Sequence, residues 1–439
     1  MKRTTLWLVA ALLISSLPVW GQAPPAADLK KAVDDMSAQI DEKVIAWRRD
    51  IHEHPELSNR EFKTAEKVAA HLRSLGLEVQ TGIAHTGVVG ILRCANPGPV
   101  IGMRADMDAL PVVERVDIPF ASKETSTYLG QEVGVMHACG HDTHVAMLMG
   151  AAEILTSMKD QLSGTYKFVF QPAEEGAPPG EEGGAKLMVK EGVLKNPDVE
   201  VMFGLHVNSL LEVNKLRFKS GGTMAAADRF TIKVTGSQTH GAYPWNGVDP
   251  IVVSSQIVMG LQTIVSRQME LTKEAAVVTV GKIDGGVRNN IIPESVQMIG
   301  TIRTLDTEMQ KDIHERIKRT ATLIAESAGA KAEVEIHIGT PVTYNDPELT
   351  AAMLPTMQEV AGKRNLINSN PVTGAEDFAF YAKEVPSLFL FVGGRPASTP
   401  VEEAAPHHTP DFFIDDSGLR LGVRTLCYLG IDYSTKVSK

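Results

Sequence analysis

Apolar positions recur at helical spacing from Asp28 to about Leu75, with Val44, Ile45, Trp47 and Ile51 among them. The His54-Pro55 pair breaks this stretch, because a residue preceding proline is pushed out of the helical region. A second helical face follows through Phe62, Ala65, Val68, Ala69 and Leu72, and Gly76 is placed to stop it. Beyond it the pattern changes to short continuous apolar runs separated by helical segments: Pro99–Met103, Tyr166–Phe170, Val201–Leu205 and Leu388–Val392. Continuous runs of this kind are strands buried on both faces, the mark of a mostly parallel sheet.

Between about Arg217 and His337 the periodicities differ. Arg229–Val234 alternates as a strand, Asp249–Gln268 reads as one long helix, and Ala276–Val280 and Val296–Arg303 read as strands. Asp306–Ala328 is a helix and Ala332–Ile338 a strand. The order β-α-β-β-α-β is that of a ferredoxin-like unit. The chain is therefore read as α/β: a mostly parallel-sheet domain over 28–216 and 338–439, with a second domain, 217–337, inserted into it.

Length and composition narrow the function. At 439 residues the chain accommodates two to three domains. A hydrophobic share of 43% and a charged share of 22% exclude a disordered chain and a multi-spanning membrane protein. The net charge is −10 with no basic run, a poor complement to nucleic-acid phosphates. Three cysteines, Cys94, Cys139 and Cys427, cannot build a disulfide framework. At the start, Lys2 and Arg3 precede an apolar run from Leu6 to Leu17, and Gly21 and Ala23 stand at −3 and −1 of a cleavage site. This is the pattern of a secretory signal over 1–23, too short for a stable span, and predicts export to a periplasm or beyond.

The polar residues after the apolar runs carry the chemistry. Ligand sites in open α/β sheets lie beyond the carboxyl ends of the strands. There the chain places Arg104-Ala-Asp106-Met-Asp108, Gln171-Pro-Ala-Glu174-Glu175 and His206. Met136–His144 adds three histidines, a thiol and a carboxylate within nine residues. Imidazole nitrogen and thiolate sulfur suit zinc-like cations, and Gly140 allows Cys139 and His141 to turn toward one ion. His137 and His144 read as packing or orienting residues. Of the adjacent Glu174 and Glu175, one can bind metal while the other moves protons, the division that metal-assisted hydrolysis needs. With His407-His408 there are donors enough for two ions.

These residues stand in a series of motifs: RADMDALP (104–111), MHACGHDTH (136–144), FQPAEE (170–175), GLH (204–206), HGAYP (240–244), NIIP (290–293), GTIR (300–303), EDF (376–378) and HHTP (407–410). In this order they resemble the aminoacylase/carboxypeptidase-type metallopeptidases, in particular the amidohydrolase branch that holds hippurate, auxin-conjugate and N-acyl-amino-acid hydrolases. The resemblance implies that Cys139, His141, Glu175, His206 and His408 bind two divalent ions, zinc or manganese or cobalt, with Cys139 between them. It implies that Glu174 is the general base, that His240 stabilises the oxyanion, often in the partner subunit's site, and that Asn290 lies near the substrate. The 217–337 segment is implied to be a lid and dimerisation domain. Arg104 stands where other branches carry a metal-binding histidine, and Asp106 and Asp142 become residues that orient ligands. The loop Gly236–Thr239 departs from the glycine-rich run common in the branch.

The reaction so implied is hydrolysis of the amide of N-acyl or N-aroyl amino acids, a small-molecule substrate, by a homodimer or higher oligomer. Arg288 and Arg303 are candidates for the substrate carboxylate, since guanidinium suits carboxylates. A dipeptidase or carboxypeptidase with the same metals is the alternative. An exported metal-binding protein without catalysis is a more distant one, and the second glutamate argues against it. Glu376 and Asp377 carry no role that the sequence alone yields.

Overall fold

The computed structural model describes residues 26–437, so the signal segment expected at 1–23 lies outside the described residues. At the start stand the helices Ala26–Gln39, Asp41–Glu53 and Phe62–Ser74. The large sheet has eight strands, in the order Glu78–Ile83, Gly87–Arg93, Ser163–Gln171, Asn96–Asp106, Val201–Glu212, Ser387–Arg395, Leu216–Phe218, Leu366–Asn368. The four strands predicted from apolar runs form its centre and are mutually parallel. Antiparallel pairings occur only toward the edges. The central strands are buried on both faces: His141–Ser157 and Leu419–Val437 share one core with them, and the short helices Gly184–Lys190 and Ala379–Ala382 pack in another.

The second sheet is antiparallel, in the order Ala276–Asp284, Ser295–Thr304, Ala226–Thr235, Lys331–Thr340. With the helices Pro250–Thr263 and Thr307–Ser327 it makes the β-α-β-β-α-β arrangement. Every second residue of Ala226–Thr235 is buried, and Phe230, Ile232 and Val234 meet Ile257, Leu261, Ile313 and Ile317 in a separate core. Asp249 and Asp306 cap the two helices, accepting hydrogen bonds from the amides of Ile251, Val252 and Met309.

Two boundaries differ from the periodicity. The helix expected over 249–268 is α-helical only to Thr263, and Ile264–Gln268 continues as a wider turn. Leu216–Phe218, at the edge of the segment read as inserted, belongs to the large sheet, because Leu216 and Phe218 bury themselves in its core. The residue between them, Arg217, faces the other way. Among the described residues no helix is long and apolar enough to cross a membrane.

Candidate active site

At the carboxyl end of the central strands lies a cleft of about 570 Å³, lined by residues of both sheets. The Met136–His144 segment enters it through Gly140, whose φ of +88° and position against Val207 leave no room for a side chain. That turn delivers Cys139 just before, and His141 at the first position of, the helix His141–Ser157. Glu174 and Glu175 follow the strand Ser163–Gln171. His206 lies within Val201–Glu212, which runs past the end expected at Leu205. His408 arrives from the loop before the last helix, tied by its amide to the Ala138 carbonyl at 2.8 Å.

The five ligand candidates converge. Cys139 Sγ is 3.3 Å from His408 Nε2 and 3.5 Å from His206 Nε2. His408 Nε2 is 2.9 Å from Glu175 Oε1. Cys139, Glu175 and His408 form one group of mutually close donor atoms, and His141, Glu174 and Glu175 another. Tetrahedral ligands at about 2.0–2.3 Å from zinc stand roughly 3.5 Å apart, so these spacings accommodate an ion.

Hydrogen bonds sort the histidines. A neutral imidazole has one N–H and one lone pair. His144 Nε2 accepts from the Val207 amide at 2.7 Å, and His407 Nε2 accepts from the Ser209 amide at 3.2 Å. Their lone pairs are spent, so the other nitrogens donate, His144 to Asp106 and His407 to Cys139 Sγ, 3.5 Å away. The opposite holds for His206 and His141. His206 Nδ1 donates to the Val207 carbonyl at 2.6 Å, and His141 Nδ1 to Asp108 at 3.3 Å, which leaves both Nε2 atoms for another partner. His141 Nε2 is buried with no hydrogen-bond partner, a donor atom positioned for something besides protein. The donor set thus fits divalent cations, with His407 as a hydrogen-bond donor to the Cys139 sulfur.

The two glutamates are held by one residue. Asp108 accepts from the Glu174 amide through Oδ1 and from the Glu175 amide through Oδ2, both at 3.0 Å. Burial alone would raise Asp108, but hydrogen bonds from His141, Ser58 and the Glu175 amide hold its carboxyl below the ordinary range. Behind the loop, buried Glu61 accepts from the Ala173 amide at 2.9 Å and fixes Ala173 in the left-handed region, at φ 53°. Burial and the nearby Asp108 charge push Glu61 up to about 8. Burial, with Glu376, Glu175 and Asp377 close by, pushes Glu174 well above the usual carboxylate range. Its Oε2 is 3.9 Å from His141 Nε2.

Glu376 and Asp377 gain a role here. Arg104 is wholly buried and reaches Asp106 at 2.6 Å, Glu376 at 2.8 Å and Asp377 at 2.9 Å. Glu376 and Asp377 thus share one cation with Asp106, and the Asp377 amide contacts Glu174 Oε1 at 3.3 Å. Asp142, expected to orient a ligand, instead pairs with Arg48 at 2.7 Å and His52 at 2.8 Å. Both partners belong to Asp41–Glu53, so Asp142 ties the start of the His141–Ser157 helix to that helix rather than orienting a candidate ligand.

Of the substrate-binding candidates, only Arg303 lines the cleft. His240 is exposed on the short strand Thr239–His240, paired with Ile291–Ile292, and Arg288 and Asn290 are exposed on the adjoining turn. The structure does not bring these three into the cleft of their own chain. Sequence reading placed Asp108 and His407 near the site without giving either a role of its own, and it missed Glu61 and Arg217. For Arg217 the one available signal was a cation flanked by two apolar strand residues.

The comparisons agree with this geometry. Residues 102–430 match the model of peptidase family M20/M25/M40. Thermostable carboxypeptidase 2 of Saccharolobus solfataricus is 38% identical over 411 residues, covering 93% of this chain and all of that one. N-acetyl-L-cysteine deacetylase of Bacillus subtilis is 36% identical over 380 residues, 87% of this chain and 85% of the relative. A Bacillus subtilis crystal structure described as a dinuclear metal binding peptidase from the M20 family superposes with a TM-score of 0.76, at 33% identity, over 91% of this chain and 99% of that one. The chain belongs to the M20/M25/M40 peptidase family and is a metal-dependent hydrolase acting on amide bonds.

Proposed function

We propose that the protein hydrolyses N-acyl or N-aroyl amino acids to a carboxylic acid and an amino acid. The observation that carries this reading is the division of labour between two adjacent acids. Glu175 stands against His408 and Cys139, whereas Glu174 turns toward His141 and the Asp377 amide. In this reading Cys139, His141, Glu175, His206 and His408 hold two divalent ions, zinc or manganese or cobalt. When bound, the ions supply positive charge that polarises the scissile carbonyl and eases loss of a proton from water. Glu174 takes that proton and delivers it to the leaving nitrogen. Asp108 keeps both glutamates in register through their amides. Arg303 receives the carboxylate of the amino-acid half. His240 accepts from the Ala242 amide at Nδ1, which leaves Nε2–H to donate to the oxyanion. Because it is exposed, it serves this purpose from a second copy of the chain, in a homodimer. Export under the 1–23 signal completes the proposal.

The carboxypeptidase relative favours a second reading, cleavage of free dipeptides or peptides. A substrate ammonium would want an unpaired carboxylate in the cleft. Glu376 and Asp377 are committed to Arg104, which favours acyl over aminoacyl substrates. A panel of N-acetyl, N-benzoyl and indole-acetyl amino acids beside dipeptides separates the two. Glu174→Gln should lower kcat on the best acyl substrate by about 10²–10⁴. Turnover like that of the wild type would remove Glu174 from the role of base.

A further inference from the structure

Arg217 is a cation that the mechanism above does not use. It lies in the three-residue strand Leu216–Phe218, whose flanking side chains are buried in the large-sheet core. Alternation along a strand turns the middle side chain to the opposite face, and that face is the cleft. Its guanidinium lies 4.3 Å from the centroid of Phe391, the residue opposite it in the antiparallel pairing. Phe391 is also the register partner of His206 on the next strand, with ring centroids 6.4 Å apart. The cation is thus one ring away from the metal-ligand cluster.

No ion pair or hydrogen bond to Arg217 occurs among the described residues, and its Nε is buried without a partner. Arginine does not shed its proton in proteins, and Arg217 is half-buried, so its charge loses part of its hydration with no protein partner to replace it. The cleft's acids do not relieve it: Glu376 and Asp377 pair with Arg104, and Glu174 and Glu175 belong to the hydrolytic cluster. Its position over the Phe391 ring holds the guanidinium in place while its N–H donors remain available to an anion. Arg303 lines the same cleft from the four-stranded sheet. Two cations contributed to one cleft by different sheets suit a substrate with two carboxylates.

We infer that Arg217 binds a second substrate carboxylate, so that the preferred substrates are N-acyl amino acids carrying two negative groups. This rests on the acyl-amino-acid reading and adds a substrate class to it. The second carboxylate belongs either to an acidic amino-acid side chain or to the far end of a dicarboxylic acyl group.

Matched pairs on the metal-loaded enzyme test this. N-acetyl-L-glutamate is compared with N-acetyl-L-glutamine, and N-succinyl-L-leucine with its terminal amide. In one of the two pairs the charged member should show a kcat/KM higher by roughly 30-fold or more, since an unmatched buried charge costs on that scale. The pair that responds locates the carboxylate. Arg217→Met should erase that preference through KM, and Arg217→Lys should restore part of it. A purely structural arginine would lower both members of a pair equally. On a Glu174→Gln background, calorimetric Kd values for the uncleaved substrates should show the same charged-over-neutral preference, again lost in Arg217→Met. Equal kcat/KM within both pairs, or a preference that survives Arg217→Met, would overturn the inference while leaving amide hydrolysis intact. Failure to cleave any N-acyl amino acid would instead remove the acyl-amino-acid reading, and this role with it.

Discussion

In the four-stranded sheet, Phe230, Ile232 and Val234 point inward while Arg229 and Lys233 face water. In the large sheet, the strand Asn96–Asp106 ends with Arg104 and Asp106 both buried. The first sheet follows the ordinary rule that charge stays outside and hydrophobic area drives folding. The second breaks it where the strands end, and there buried charges other than Arg217 face opposite ones: Arg104 faces three acids, and Asp142 faces Arg48 and His52. Buried ion networks are poor sources of stability, since desolvation consumes much of the attraction. Their presence in one sheet and near-absence from the other marks where chemistry, rather than folding, selects the residues.

The contrast can be broken by substitution. Arg104→Met removes one cation from among Asp106, Glu376 and Asp377 and leaves them uncompensated. Urea denaturation should show a loss of about 3–5 kcal/mol. A loss below about 1 kcal/mol would mean that this network is not needed to hold the acids.

The four-stranded sheet has one comparable group. Asp228 accepts from His314 and Gln310 at 2.7 Å and from the Gly339 amide at 3.0 Å. Burial raises its carboxyl, but these hydrogen bonds outweigh burial and hold it below the ordinary value. A carboxylate lowered on folding stabilises above its unfolded pKa, and the contribution is lost as pH falls through the lowered value. Asp228→Asn should cost about 1–3 kcal/mol at neutral pH and flatten the acid side of the stability curve. An unchanged acid limb would exclude Asp228 as its source. At the small end, Arg316 pairs with Asp312 one helical turn away, on the surface, at 2.8 Å. Arg316→Ala should change stability by less than about 1 kcal/mol. A larger loss would show that surface charge contributes to this sheet as well.

The same contrast explains what could be read from the sequence. Alternation and helical periodicity exposed the four-stranded unit because one face of each strand is apolar. Cys139, His141 and the two glutamates stood out in the sequence because side chains able to hold a metal cluster locally at strand ends. The pairing of Arg104 with Glu376 spans 272 positions and leaves no periodic trace, so the EDF motif had no derivable role. Arg217 had only a faint signal, a cation between two apolar residues; what makes it unusual is the absence of a partner among the described residues, which only the fold reveals. The end of the Pro250–Thr263 helix was missed because the apolar pattern continues through Ile264 and Val265 after the α-helical hydrogen bonding has stopped.

Elemental analysis of purified Glu174→Gln and Glu175→Gln beside the wild type tests the separation of the two acids most directly. Two divalent ions per chain should remain in Glu174→Gln, with hydrolysis nearly abolished, while Glu175→Gln should lose metal. Equal metal content in all three proteins, or metal lost from Glu174→Gln instead, would contradict the assignment of Glu175 to the ions and Glu174 to the proton.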